Sequence, residues 1–224
     1  MAPDESTRAS GTGDTDYGKP AAARLTIERR MNRQVEGEAV TVYFGNQMLI
    51  GRDESGEITV DDDRVSRKHG QVRIDRHEAK FSDLGSTNGT TRNGDPVNDE
   101  IIIQTGDLLN LGKAITFEVK VVERRGEVTS VRLASGASAY LLVPQEMVIG
   151  FADPANKDVD LAIYDPSILK HHARLEYFTG QAFIVSLDKD KRVLVNSSPV
   201  TEEELRGDYM VEIGDTLIRY EKLD

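Results

Sequence analysis

The chain has 224 residues, 38% of them hydrophobic, no Cys and no Trp, and a formal net charge of -11. The absence of Cys excludes disulfides, thiolate metal sites and a cysteine nucleophile. The acidic balance disfavours nucleic-acid backbones, and no apolar run approaches the roughly 18 residues of a membrane span.

Residues 1–23 are rich in Ser, Thr, Gly, Asp and Ala without apolar periodicity, so a disordered tail is expected there. Its hydroxyls, Ser6, Thr7, Ser10, Thr12 and Thr15, are candidate phosphorylation sites. The N-terminus shows no signal-peptide h-region, so a soluble, cytoplasmic protein is expected, with no membrane insertion.

From Arg24 the pattern alternates. Leu25 and Ile27, then Val40, Val42 and Phe44, then Met48 to Ile50, Glu57 to Val60 and Gln71 to Ile74 follow a period of two. Such runs are half-buried strands, and Gly45-Asn46, Asp61 to Asp63, Asn88-Gly89 and Asn93-Gly94 separate them as turns. Ile101 to Ile103, Leu108 to Leu111 and Ile115 to Val122 complete the first set. The polar segment Glu123 to Glu127 marks a boundary, after which Val128 to Leu133 and Ala139 to Val143 restart the pattern. Many short strands at this spacing predict an all-β protein built from β-sandwiches.

The second half repeats the first. His69-Gly70-Gln71-Val72 matches His172-Ala173-Arg174-Leu175, and Asn93 to Val97 matches Asn196 to Val200, both offset by 103 residues. Gly51 matches Gly150 at an offset of 99, so the second copy has a longer loop there. Two matches at one offset argue for an internal duplication. The predicted organisation is a tail over 1–23, a first domain over 24–122 and a second over 128–224. An insert at Thr201 to Leu205 carries Thr and Glu as a capping box and predicts a helical turn.

Three polar clusters sit at strand ends: Gly51-Arg52, Ser66-Arg67-Lys68-His69 and Ser86-Thr87-Asn88-Gly89-Thr90. Together they offer what a dianion needs, namely a guanidinium, hydroxyls and a close-approaching loop backbone. Gly51 leaves room beside Arg52, Ser66 and Thr87 supply hydroxyls, and Asn88 can both donate and accept. His69 is expected to prop the loops rather than to act as a base or ligand. Taken singly, Asn88-Gly89 and Asn93-Gly94 are ordinary hairpin turns.

The combination resembles the forkhead-associated (FHA) domain, whose pattern runs G-R, S-R-x-H, S/T-x-N-G-T and N-G, and residues 49–97 follow each step. The resemblance covers roughly 24–122 and implies an eleven-stranded β-sandwich that binds phosphothreonine peptides through loops at one end. It implies that Arg52 and Ser66 bind the phosphate, that Thr87 assists, that Arg67 flanks it and that Asn88 holds the peptide backbone. It also implies that Arg64 reads the third residue after the phosphothreonine, favouring an acid. Gly51, His69, Gly89 and Asn93 would form the scaffold of the site.

The second copy departs from the pattern. Phe151 stands in place of Arg52, Leu169 of Ser66, Lys170 of Arg67, Asp190 of Thr87 and Lys191 of Asn88. A degenerate FHA-like module is expected, serving for packing, dimerisation or phosphorylation-independent contacts. The chain as a whole reads as two FHA-like β-sandwiches in tandem: a phosphothreonine-dependent signalling adaptor whose partner is a threonine-phosphorylated substrate of a Ser/Thr kinase. The alternative is a constitutive scaffold or dimerisation module. No cofactor is expected. Asp61 to Asp63 with His69 could suggest metal-assisted hydrolysis, but no nucleophile–base pair or complete ligand set accompanies them, so no enzyme, metal or catalytic residue is expected.

Overall fold

The computed structural model describes residues 21–30, 33–153, 155 and 157–223. Residues 1–20 of the expected tail, with all its candidate phosphorylation sites, lie outside the described residues. Ala22 and Ala23 belong to the first strand.

The first half runs β1 (Ala22–Arg30), β2 (Arg33–Phe44), β3 (Gln47–Gly51), β4 (Ile58–Thr59), β5 (Gly70–Asp75) and β6 (Glu78–Asp83). It continues through β7 (Thr90–Arg92), β8 (Asp95–Pro96), β9 (Ile101–Ile102), β10 (Leu108–Leu111) and β11 (Ile115–Arg124). The second half repeats this: β12 (Glu127–Ser135), β13 (Ser138–Val143), β14 (Glu146–Phe151), β15 (Leu161–Ile163), β16 (Ala173–Phe178) and β17 (Gln181–Ser186). It ends with β18 (Val193–Val195), β19 (Ser198–Val200), β20 (Glu202–Glu204), β21 (Tyr209–Ile213) and β22 (Thr216–Leu223). No helix occurs among the described residues, and so none that is long and apolar enough to cross a membrane.

The capping-box segment is a strand. Glu202 to Glu204 pair with Phe183 to Val185 of β17, and Leu205 beyond them is buried in the core. A ladder to an existing sheet edge outweighs a local cap on a single turn.

One twelve-stranded sheet runs β19-β18-β21-β22-β1-β2-β13-β12-β11-β10-β7-β8. Two five-stranded sheets complete the molecule, β4-β3-β5-β6-β9 and β15-β14-β16-β17-β20. The expected boundaries at 24–122 and 128–224 do not coincide with the two cores. The hairpin β1–β2 pairs with β22, and Leu25, Ile27, Val40, Val42 and Phe44 pack with Met147, Ile149, Leu175 and Ile218 of the second half. The hairpin β12–β13 pairs instead with β11, and Val128, Val131 and Leu133 pack with Met48, Phe81 and Phe117 of the first half. The two halves have exchanged their first hairpins.

The middle of the long sheet is covered on both faces. β2 and β13 run parallel, with Val143 opposite Phe44 and Leu142 opposite Tyr43. Phe44 and Val143 join the second core, whereas Tyr43 and Leu142 join the first. Neighbouring residues of a strand point to opposite faces, so the cores lie on opposite sides of this sheet. That explains the unbroken apolar run Leu141-Leu142-Val143 in β13, all buried.

A buried polar knot ties the halves together. The Asp160 carboxylate accepts hydrogen bonds from the Arg124 guanidinium, the hydroxyls of Thr129 and Ser130, and the Val148 N–H at 2.7 Å. Both carboxylate oxygens are thus engaged by donors, which is the condition under which a carboxylate can be buried.

Candidate functional site

The site is built at the end of β3. A Cβ on Gly51 would lie 2.0 Å from the Arg67 carbonyl oxygen, so only glycine lets the β4–β5 loop cross here. Three backbone bonds fasten that loop: Arg52 N–H to Ser66 O (3.0 Å), Asp53 N–H to Arg67 O (3.1 Å) and His69 N–H to Ile50 O (2.9 Å). Arg52 is thereby held beside Ser66 and Arg67.

His69 joins this loop to the next. It is fully buried; its Nδ1 accepts from Ser66 N–H (3.1 Å) and its Nε2 donates to Gly89 O (3.2 Å). Those partners assign the Nε2–H tautomer, and burial lowers the imidazole pKa, so the ring is held neutral. Asp83 shapes the β6–β7 loop from within, accepting from Ser86 N–H (2.7 Å), Ser86 Oγ (2.8 Å) and Thr90 Oγ1 (2.7 Å). Burial raises the Asp83 pKa, but these hydrogen bonds outweigh it and hold the carboxyl below its ordinary value. Gly89, at φ +70°, and Gly112, at φ +61°, close the floor, with Gly112 N–H bonded to Gly89 O at 2.9 Å.

Above this floor lies an open basin of about 570 Å³. Arg52, Arg64, Ser66, Arg67, Thr87 and Asn88, the six residues expected to contact a phosphopeptide, all line it. The Ser66 hydroxyl accepts from Thr87 N–H at 3.0 Å, and Asn88 Nδ2 donates to Arg64 O at 2.8 Å. The Ser66 hydroxyl donates only a long bond, 3.5 Å, to Thr87 Oγ1, and the Asn88 side chain keeps its carbonyl oxygen as an acceptor. Arg52 Nη1 pairs with Asp63 Oδ1 at 3.2 Å on the open side of the basin. Arg64 is heavily engaged. Its Nε and Nη2 bind Asp62 (2.9 and 2.6 Å), and its Nη1 binds Lys113 O (2.8 Å).

Of the expected scaffold residues, Gly51, His69 and Gly89 lie directly beneath the basin. Asn93 sits apart, in the β7–β8 turn at φ 54°, where its side chain binds Asp107 Oδ1 and Leu108 N–H, each at 2.8 Å. Asp83, Thr90 and Gly112 were not anticipated as supports. An acid seven residues before a threonine carries a signal only once the loop between them is known to fold back.

The second half keeps the frame and lacks the cradle. Phe151 N–H bonds Leu169 O (2.9 Å), Leu169 N–H bonds His172 Nδ1 (3.2 Å), and a Cβ on Gly150 would lie 2.0 Å from Lys170 O. Phe151 and Leu169 stand where Arg52 and Ser66 stand, and the Phe151 ring lies 6.0 Å from the exposed ring of Tyr164. An aromatic pair thus stands where the first module has its arginine.

Comparison with known proteins agrees with both halves. The family model for the FHA domain matches residues 48–112 and again 147–216, more than half of the chain. The glycogen accumulation regulator GarA of Mycobacterium tuberculosis is 31% identical over 115 residues, 50% of this chain and 66% of its own length. The oxoglutarate dehydrogenase inhibitor of Corynebacterium glutamicum is 43% identical over 63 residues, 28% of this chain and 43% of its own. The chain thus spans less than two thirds of either relative. Among solved structures, the FhaA FHA domain complexed with the intracellular domain of Rv3910 is 32% identical, covering 40% of this chain and 91% of that one, with a TM-score of 0.30. The pattern at the basin, its repetition at the second His-propped loop and the double family match lead to one assignment: the chain belongs to the FHA domain family, which it carries twice.

Proposed function

We propose that the protein is a phosphothreonine-dependent adaptor, not an enzyme, that binds a threonine-phosphorylated partner at the basin of its first FHA module. The observation that carries this reading is the Ser66–Thr87 bond. It presents a hydroxyl and a loop backbone beside Arg52, and the second module has no equivalent. In the bound state Arg52 and Ser66 hold the phosphate, Thr87 adds its hydroxyl, and Asn88 grips the peptide backbone after the phosphothreonine. Charge-assisted hydrogen bonds contribute roughly 1.5–3 kcal/mol each, so two or three of them, after ordering costs, support affinity on the order of micromolar.

The second module is structural in this reading, and its aromatic pair serves contacts that do not require phosphate. Titration of the protein with a phosphothreonine peptide and its unmodified twin tests the proposal. Binding of the phosphorylated form alone, lost in Arg52→Ala, is the expected result. Equal affinity for both forms would favour a constitutive scaffold instead.

A further inference from the structure

Four cations line the basin, and they are not equivalent. Arg52 has Asp63, and Arg64 has both Asp62 and the Lys113 carbonyl. Arg67 and Lys68 also line the basin, are exposed, and have no side-chain hydrogen bond or ion pair to any described residue. Asp53 in the adjoining loop accepts the Ser55 N–H at 2.8 Å and acts on Arg67 and Lys68 only through space, without a hydrogen bond or ion pair to either.

The second module supplies a control. Its equivalents of Arg67 and Lys68 are Lys170 and His171, at an offset of 103. Both reach Asp158, at 3.8 and 3.1 Å. At the same offset, Asp158 corresponds to Ser55 in the first module. This register is independently supported there, because Leu49 N–H bonds the Glu57 carboxylate (2.6 Å) as Val148 N–H bonds that of Asp160 (2.7 Å). Where the basin is degenerate, an internal acid lies against both side chains. Where the basin is intact, that acid is a serine.

Position completes the argument. The Lys68 Cα lies 3.1 Å from where a Gly51 Cβ would be, so Lys68 stands on the Arg52 side of the basin. Arg64 and Asn88 are joined to each other and to the Lys113 turn.

Building on the phosphothreonine reading, we infer that Lys68 is a specificity-determining residue. Beside Arg67 it offers a cationic subsite for a second negative charge on the ligand, either a carboxylate side chain or a second phosphate. Arg64 is a positioning residue in this account. Bound to Asp62 and Lys113, it holds the loop that anchors Asn88 and does not select charge.

The test uses the full chain and fluorescence anisotropy with four synthetic peptides: one phosphothreonine in neutral flanks, the same with flanking glutamates, the same with a second phosphothreonine, and the glutamate peptide without phosphate. The native protein should bind the glutamate peptide about 2- to 5-fold more tightly than the neutral one, as expected for an exposed ion pair. Preference for the doubly phosphorylated peptide alone would identify phosphate as the second charge. Lys68→Gln should bring the ratio of affinities close to one, and Lys68→Glu should invert it. Arg64→Gln should weaken both peptides together and leave the ratio standing. A ratio unchanged in Lys68→Gln, a ratio lost selectively in Arg64→Gln, or no preference in the native protein overturns the inference. Failure of the parent reading looks different: the unphosphorylated glutamate peptide would then bind as well as its phosphorylated twin.

Discussion

The Thr87 backbone N–H donates to Ser66 Oγ at 3.0 Å, joining two loops that are 21 residues apart. In the proposed function one hydroxyl therefore serves two purposes, closing the site and facing its ligand. Replacing Ser66 by Ala removes both. Phosphopeptide affinity should fall about 10- to 100-fold, the equivalent of losing one charge-assisted hydrogen bond plus some loop order. Calorimetric titration of Ser66→Ala against the native protein checks this, and an unchanged affinity would remove Ser66 from the site.

Gly51 and Gly150 occupy the same place in the two modules, each with a carbonyl oxygen 2.0 Å from where a Cβ would be. Alanine at either position must push the crossing loop away. Each substitution should cost about 1–3 kcal/mol, the range for overpacking, and lower the melting temperature. Only Gly51→Ala should also weaken phosphopeptide binding, because only its loop carries Ser66.

The buried histidines predict a pH dependence. Burial lowers the pKa of both His69 and His172 in the folded protein. The folded state then binds fewer protons than the unfolded state below the ordinary histidine pKa of about 6.5. Their contribution to stability is complete above that pH and is lost as the pH falls below it toward the folded values. Melting temperatures of the ligand-free protein should drop between pH 7 and pH 5, and His172→Phe should flatten that slope. A slope insensitive to this substitution would show that other groups cause the loss.

The exchanged hairpins predict how the molecule melts. Phe44 precedes β3 of the first module by a two-residue link, yet its ring stacks on Tyr177 in the second core, with centroids 5.1 Å apart. The two cores should unfold in one calorimetric transition. Phe44→Ala should cost about 3–5 kcal/mol, typical of truncating a buried phenylalanine, and shift that single transition downward. Two separate transitions, one of them unaffected by the substitution, would count against coupled cores.

Much of this was readable from local chemistry. Alternation at Leu25 and Ile27, or at Val72 and Ile74, identifies a strand with one buried face, and the duplicated His69 and His172 segments identify two like modules. Residues that act within a few positions of each other, such as Gly51 and Arg52, declared themselves. What stayed hidden is pairing at a distance. Alternation in β1 says that a face is buried but not against which core. Thr201 to Leu205 carries a local helix signal that a strand neighbour overrides. Arg64 looks like a free reader until Asp62 and the Lys113 carbonyl are seen to hold it.

The pairing of β1 with β22 joins the first and last strands of the described chain. During synthesis the first hairpin emerges long before the strand it must lie against, and β12–β13 reaches β11 first. The growing chain therefore carries an unsatisfied β edge on β1 until β22 has been made. Contacts this remote in sequence close slowly, so the β1–β22 ladder is expected to form after the local β11–β12 hairpin.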